Sequence, residues 1–184
     1  FDDLFAVFNS TTNALATASG VTYLDENGNQ QTAQSATVVE STTTSWGEGW
    51  YVVNSNVEIT ARITVNGSVN LILTDGYTLT ASQGITVDGS NSLTIYGQTA
   101  GTGTLTATAT ASSAAGIGGG YMGAGGNITI NGGTVTANGN TQGAGIGGGY
   151  YGVGGNITIN GGKVVANGGS SESSDAGGAG IGGG

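Results

Sequence analysis

The 184-residue chain has no cysteine, no histidine, no proline and only two basic residues. Without cysteine there is no disulfide framework, zinc ribbon or thiol nucleophile. Without histidine the commonest metal ligand and general base is missing too. These gaps remove the parts of most enzyme mechanisms. Arg62 and Lys163 stand against eleven acidic residues, giving a formal net charge of −9. Phosphate backbones and anionic membrane surfaces are bound by clustered Lys and Arg, so neither nucleic acid nor such a surface is expected as a partner. Apolar runs such as 71–73 fall far below the ~18 residues that cross a bilayer, so no membrane insertion is expected. Only 36% of residues are apolar, which is low for a compact globule. No basic, apolar signal segment opens the chain and Phe1 is not an initiator methionine, so the sequence reads as a processed protein or a fragment.

What the chain has is glycine, unevenly spread. Eleven glycines precede Ala115 and twenty-eight follow. The absence of proline and of a strict triplet period excludes collagen. "AGIGGGYMGAGGNITINGGTVTANG" at 115–139 returns as "AGIGGGYYGVGGNITINGGKVVANG" at 144–168, and "AGIGGG" comes a third time around Ile181. The isoleucines of that phrase, Ile117, Ile146 and Ile181, are 29 and 35 residues apart. The longer interval holds the Ser-rich "SSESSD", which reads as a loop.

Fainter copies begin at Arg62 and Gly84, and aligning them gives three apolar rows. The first is Ile63, Ile85, Ile117, Ile146 and Ile181. The second sets Leu71, Leu93, Ile128 and Ile157 together, with Leu73, Ile95, Ile130 and Ile159 two residues on. The third is Leu79, Leu105, Val135 and Val164, followed by Ala81, Ala107, Ala137 and Ala166. Each row alternates with Thr, Asn or Gly, the period of a strand with one buried face. Three short strands in fixed order per repeat predict an all-β, right-handed parallel β-helix. The rival, an antiparallel sandwich, predicts regular hairpins but not one three-row order in every repeat.

Asn-Gly pairs at 131–133, 138–139, 160–162 and 167–168 are the expected corners with positive φ. Asn127 with Asn156, and Asn131 with Asn160, read as hydrogen-bonded ladders. Residues 1–45 lie outside the repeat and are expected to form an N-terminal cap, with a short helix from Asp2 and a hairpin around Asn27-Gly28. Residues 46–184 form the helix proper, its open core plugged by Trp46, Trp50 and Tyr51. The far end, at Gly184, has no cover, which predicts either further coils in a longer parent chain or head-to-tail docking of another copy into a filament.

Polysaccharide lyases and hydrolases need a base with a calcium-binding acidic cluster, or two to three carboxylates on one groove. Asp75 and Asp88 have no third partner, Arg62 is alone, and the glycine phrase lacks the aspartate of calcium-binding β-rolls. No catalytic residue, metal site or cofactor is expected. Two surface arrays remain. Tyr121 stacks over Tyr150 and Met122 over Tyr151, rings suited either to a sugar or protein partner or to sealing a corner. Outward threonines Thr78, Thr80, Thr104, Thr106, Thr134 and Thr136 form a lattice of roughly 7 by 5 Å. This lattice resembles the T-x-T face of β-helical antifreeze proteins, which implies ice binding as an alternative function, although Lys163 and Val165 break it in the next coil; threonine also simply suits an exposed strand.

From about Val21 onward, "SWGEGWYVVNSNVEITARITVNGSVNLILTDGYTLTASQGITVDGSNSLTIYG" followed by "AGIGGG…GGNITINGGTVTANG" resembles the β-helical repeat segments of large, adhesin-like cell-surface proteins of anaerobic and gut bacteria. That resemblance implies a non-catalytic, extracellular module, structural or adhesive. Its implied partners are other copies of itself, or host or cell-surface glycans or proteins. "NITINGGTVTA" also resembles the coils of a β-helical carbohydrate-binding family. The aspartates that family places after its glycine-rich turn are not found in "AGIGGG", which counts against calcium and acidic-sugar binding.

Overall fold

The computed structural model describes residues 15–171 and 176–184; the helix expected from Asp2 lies outside them. A hairpin comes first, β1 (Thr17–Leu24) and β2 (Gln30–Val38). The chain then winds in coils of three strands. The first is β3 (Ser45–Trp46), β4 (Gly49–Val53) and β5 (Val57–Ile59). The second is β6 (Ile63–Val65), β7 (Ser68–Leu73) and β8 (Thr78–Ala81). Next come β9 (Ile85–Thr86), β10 (Ser92–Tyr96) and β11 (Thr104–Thr108). The two glycine-rich coils are β12 (Ile117–Gly118), β13 (Asn127–Ile130) and β14 (Thr134–Asn138), then β15 (Ile146–Gly147), β16 (Asn156–Ile159) and β17 (Lys163–Asn167). Last is β18 (Ile181–Gly182). Each strand pairs in parallel with its counterparts one coil away, so three sheets run the length of the stack. This is a parallel β-helix.

Alternation fixes which side chains fill the interior. In β10, β11, β13 and β14 the aliphatic residues are buried and the Thr, Ser and Asn between them are half-exposed. The first row is in register throughout: Ile63 lies opposite Ile85, Ile85 opposite Ile117, Ile117 opposite Ile146 and Ile146 opposite Ile181. The third row also stands, and Val57 and Ile59 extend it one coil further. The second row needs a correction. Ile95 lies opposite Leu71 and Leu93 opposite Val69, so the row runs Val69, Leu93, Ile128, Ile157. A slip of two residues leaves every side chain on the same face, so alternation could not detect it. Each buried isoleucine or leucine contributes about 1.5–3 kcal/mol, and the core they form is continuous from Val39 to Ile146.

The hairpin joins the stack through one short parallel pairing, Thr37 with Tyr51 and Val38 with Val52. Its other end reaches the third coil, where Leu24 N–H donates to Gly97 O at 3.0 Å and Gln98 Nε2 to Thr22 O at 2.8 Å. Between these anchors it packs on the outer face of the long sheet. Ala33 and Ala36 bury Val52 and Ile72, with Tyr23, Trp50 and Tyr96 alongside. Trp50 therefore does not plug the core as the sequence suggested. It is the residue between two inward ones on β4, so the pleat turns it outward, against Tyr23 and Tyr96 at centroid distances of 4.7 and 5.4 Å. Trp46 and Tyr51 do lie in the core, 5.4 Å apart and stacked, with Trp46 Nε1 donating to Thr43 O.

The corners also differ from expectation. Gly133 and Gly162 take φ of 77° and 85°, as read from Asn-Gly-Gly. The pairs 138–139 and 167–168 do not, because Asn138 and Asn167 end their strands in extended form. Both ladders read from the sequence form, Asn156 to Asn127 and Asn160 to Asn131, and a third joins Asn167 to Asn138, each Nδ2 to Oδ1 at 2.8 Å.

Candidate functional site

The phrase "GIGGGYMGAGG" is first of all a packing device. Gly118, Gly147 and Gly182 stack at φ of 137°, 135° and 134°. A Cβ on Gly118 would overlap the Gly147 carbonyl oxygen, and one on Gly147 the Gly182 oxygen. Backbone lies on backbone here, with Gly119 N–H donating to Gly147 O and Gly148 N–H to Gly182 O, both at 2.8 Å. Side chains would hold the coils apart.

Each phrase then makes a tight turn that projects two large side chains. Gly123 N–H closes on Gly120 O at 2.7 Å around Tyr121 and Met122, and Gly152 N–H on Gly149 O at 2.6 Å around Tyr150 and Tyr151. The second residue of each pair has positive φ, 55° at Met122 and 60° at Tyr151. In a type II turn that position belongs to glycine, and a non-glycine residue there costs on the order of 1 kcal/mol. The two turns stack through Met122 N–H to Tyr150 O at 2.9 Å. Tyr121 and Tyr150 have ring centroids 6.2 Å apart, and Tyr150 and Tyr151 3.9 Å. Tyr121, Met122, Tyr151 and Val153 are 61%, 65%, 69% and 71% exposed, whereas Tyr150 is half-buried. Beside them lies an open cleft of about 280 Å³ lined by Gln142, Tyr150, Tyr151, Ala176, Gly177 and Gly184. Sequence reasoning placed the three tyrosines together but missed Gln142, whose Nε2 donates to Ala176 O at 3.3 Å. Its only sequence signal is its place between two repeats, in the linker before "GAGIGGG".

The six threonines form two columns. Thr104 lies between Thr78 and Thr134, and Thr106 between Thr80 and Thr136. Glu58 opposite Thr80 bounds the lattice on one side, and Lys163 and Val165 opposite Thr134 and Thr136 bound it on the other. All six are half-buried.

The described aspartates hold loops together. Asp75 accepts from Ala100 N–H at 2.8 Å and Thr102 N–H at 2.9 Å. Asp25 accepts from the N–H groups of Asn27 and Asn29 and from the Gln31 side chain, bonds that hold its carboxyl below the usual range. Among the described residues no three His, Cys, Asp or Glu side chains come together as a metal site. Arg62 is built into the stack: Nε donates to Thr86 Oγ1 at 2.7 Å, Nη1 to Gln83 O at 2.8 Å, and Nη2 to Ala115 O at 3.0 Å and Ile85 O at 3.4 Å. Its desolvation lowers the guanidinium pKa.

Two stretches, 128–150 and 157–184, match the family model described as a beta helix repeat. No curated protein and no solved structure matches the chain.

Proposed function

We propose that the chain is a non-catalytic, extracellular module of a cell surface, structural or adhesive, whose coils form a rigid shaft and whose corner turns meet partners. The observation that supports this reading is the stack itself. Three parallel sheets, a continuous aliphatic core and glycine corners commit nearly every residue to extension along one axis, as in repeat proteins whose neighbours supply all the contacts. The described aspartates are used in loop hydrogen bonds rather than aimed into a shared groove. The beta helix repeat matches agree with a solenoid. On the last coil Ile159 and Ile181 are 43% and 46% exposed. A further coil laid there, from the same polypeptide or from another copy docked head to tail, would continue the columns.

The test is location. An antibody raised against the folded chain is expected to label intact cells that express it, seen as gold particles at the envelope by electron microscopy. Labelling only after lysis would contradict a surface role.

A further inference from the structure

In an Asn-Gly pair the glycine nitrogen can attack the asparagine side-chain amide, because no Cβ on the glycine stands in the way. The pair occurs at Asn27, Asn66, Asn131, Asn138, Asn160 and Asn167, and the stack treats these positions differently. Attack needs a free glycine nitrogen and a free Nδ2 to leave, so a hydrogen bond donated by either one holds the pair in place. Gly28 N–H donates to Asp25 O at 3.0 Å, Gly67 N–H to Asn91 Oδ1 at 2.8 Å and Gly139 N–H to Asn167 O at 2.8 Å. Asn160 and Asn167 donate through Nδ2 to Asn131 and Asn138. Among the described residues, only at Asn131-Gly132 do both nitrogens lack an acceptor. Both residues line an open cleft of about 320 Å³, which admits water. Asn131 Oδ1 meanwhile accepts from Asn160 Nδ2 at 2.8 Å, a donor placed on the oxygen where negative charge gathers during attack.

We infer that Asn131 is a modification site, converted by the chain's own backbone to aspartate or isoaspartate. Solvent hydroxide takes the Gly132 amide proton, the nitrogen bonds to Asn131 Cγ, and the Cγ–Nδ2 bond breaks with release of ammonia. The succinimide that remains adds water and opens. Breaking the bond from the Gly132 nitrogen to Cγ gives aspartate, which still accepts from Asn160 Nδ2 and keeps the ladder. Breaking the bond from that nitrogen to the main-chain carbonyl gives isoaspartate, whose main chain runs through Cβ and Cγ. Either product puts a carboxylate into residues 89–162, which otherwise hold no Asp, Glu, Lys or Arg.

The test is to hold the folded full chain in mildly alkaline buffer and follow the amide-to-acid mass gain at each asparagine by fragmentation mass spectrometry. Asn131 is expected to convert at least about ten-fold faster than Asn66 or Asn138. In urea, where the protecting bonds are gone, that preference is expected to vanish. Asn160→Ala removes the donor on Asn131 Oδ1 and is expected to slow conversion about ten-fold, whereas a corner merely loosened by losing its ladder would convert faster. Three results would each overturn the assignment: Asn131 no faster than Asn66 and Asn138 in the folded chain, a preference for Asn131 that persists in urea, or a rate unchanged or raised in Asn160→Ala.

Discussion

Gly118→Ala is expected to lower the melting temperature by about 10 °C, whereas Gly120→Ala, two residues away in the same phrase, leaves it within about 2 °C. Gly118 has φ of 137°, which a side chain rarely adopts, and its added Cβ would meet the Gly147 carbonyl oxygen. That oxygen cannot retreat cheaply, because it accepts from Gly119 N–H at 2.8 Å and its residue pairs with β18 on the other side. Backbone strain of ~1–3 kcal/mol adds to the forced separation of two coils, for a total on the order of 4 kcal/mol. At about 2–4 °C per kcal/mol for a chain of this size, the shift is large. A Cβ at Gly120 meets nothing within 4 Å and its φ is ordinary. Thermal unfolding followed by circular dichroism checks both. Equal effects would mean that the glycines are not a packing column.

Arg62→Met is expected to cost about 3 kcal/mol, read from the midpoint of urea unfolding. The guanidinium ties three successive coils at one corner, through Thr86, Gln83 and Ile85 of one neighbour and Ala115 of the next. Methionine keeps much of the volume and removes every donor, leaving carbonyls that lose partners at ~1–3 kcal/mol each where water cannot replace them. Lysine keeps the charge but not the planar fork, so Arg62→Lys is expected to recover less than half of the loss. A midpoint unchanged in the methionine variant would show that the corner is held by backbone pairing alone.

This corner shows how far the sequence could be read. Placing Ile63, Ile85 and Ile117 in one row sets Arg62, Gly84 and Gly116 in line before them. Arg62 looked like an isolated cation, yet the glycine above it marks the space its side chain occupies, since a Cβ on Gly84 would stand 2.8 Å from Arg62 Nη1. The columns were legible because period-two alternation and repeat spacing are properties of the chain itself. The two-residue register slip was not, because both registers bury the same face.

The hairpin's position left a signal in the uninterrupted runs "YVV" and "LIL". An apolar residue between two inward ones needs cover on the outer face as well, and Val52 and Ile72 receive it from β2. The tyrosines could be placed in one array from the repeat, but not their exposure or the left-handed backbone at Met122 and Tyr151. Those depend on turn geometry that glycine-rich sequence leaves open. Gln142 could not be found from its own repeat, since its partner Ala176 comes from the long insertion of the next coil.

Parallel, in-register stacking is tested most directly by paired cysteines, which the chain otherwise lacks. Thr106 and Thr136 are opposite one another on β11 and β14, at the ~4.8 Å spacing of neighbouring strands, within reach of a disulfide. Thr106 and Thr134 are offset by two residues, which puts them about 8 Å apart, beyond that reach. Mild oxidation of the monomer is expected to cross-link Thr106→Cys/Thr136→Cys and to leave Thr106→Cys/Thr134→Cys as free thiols. Cross-linking of the offset pair in preference to the aligned one would contradict the columns and the fold built on them.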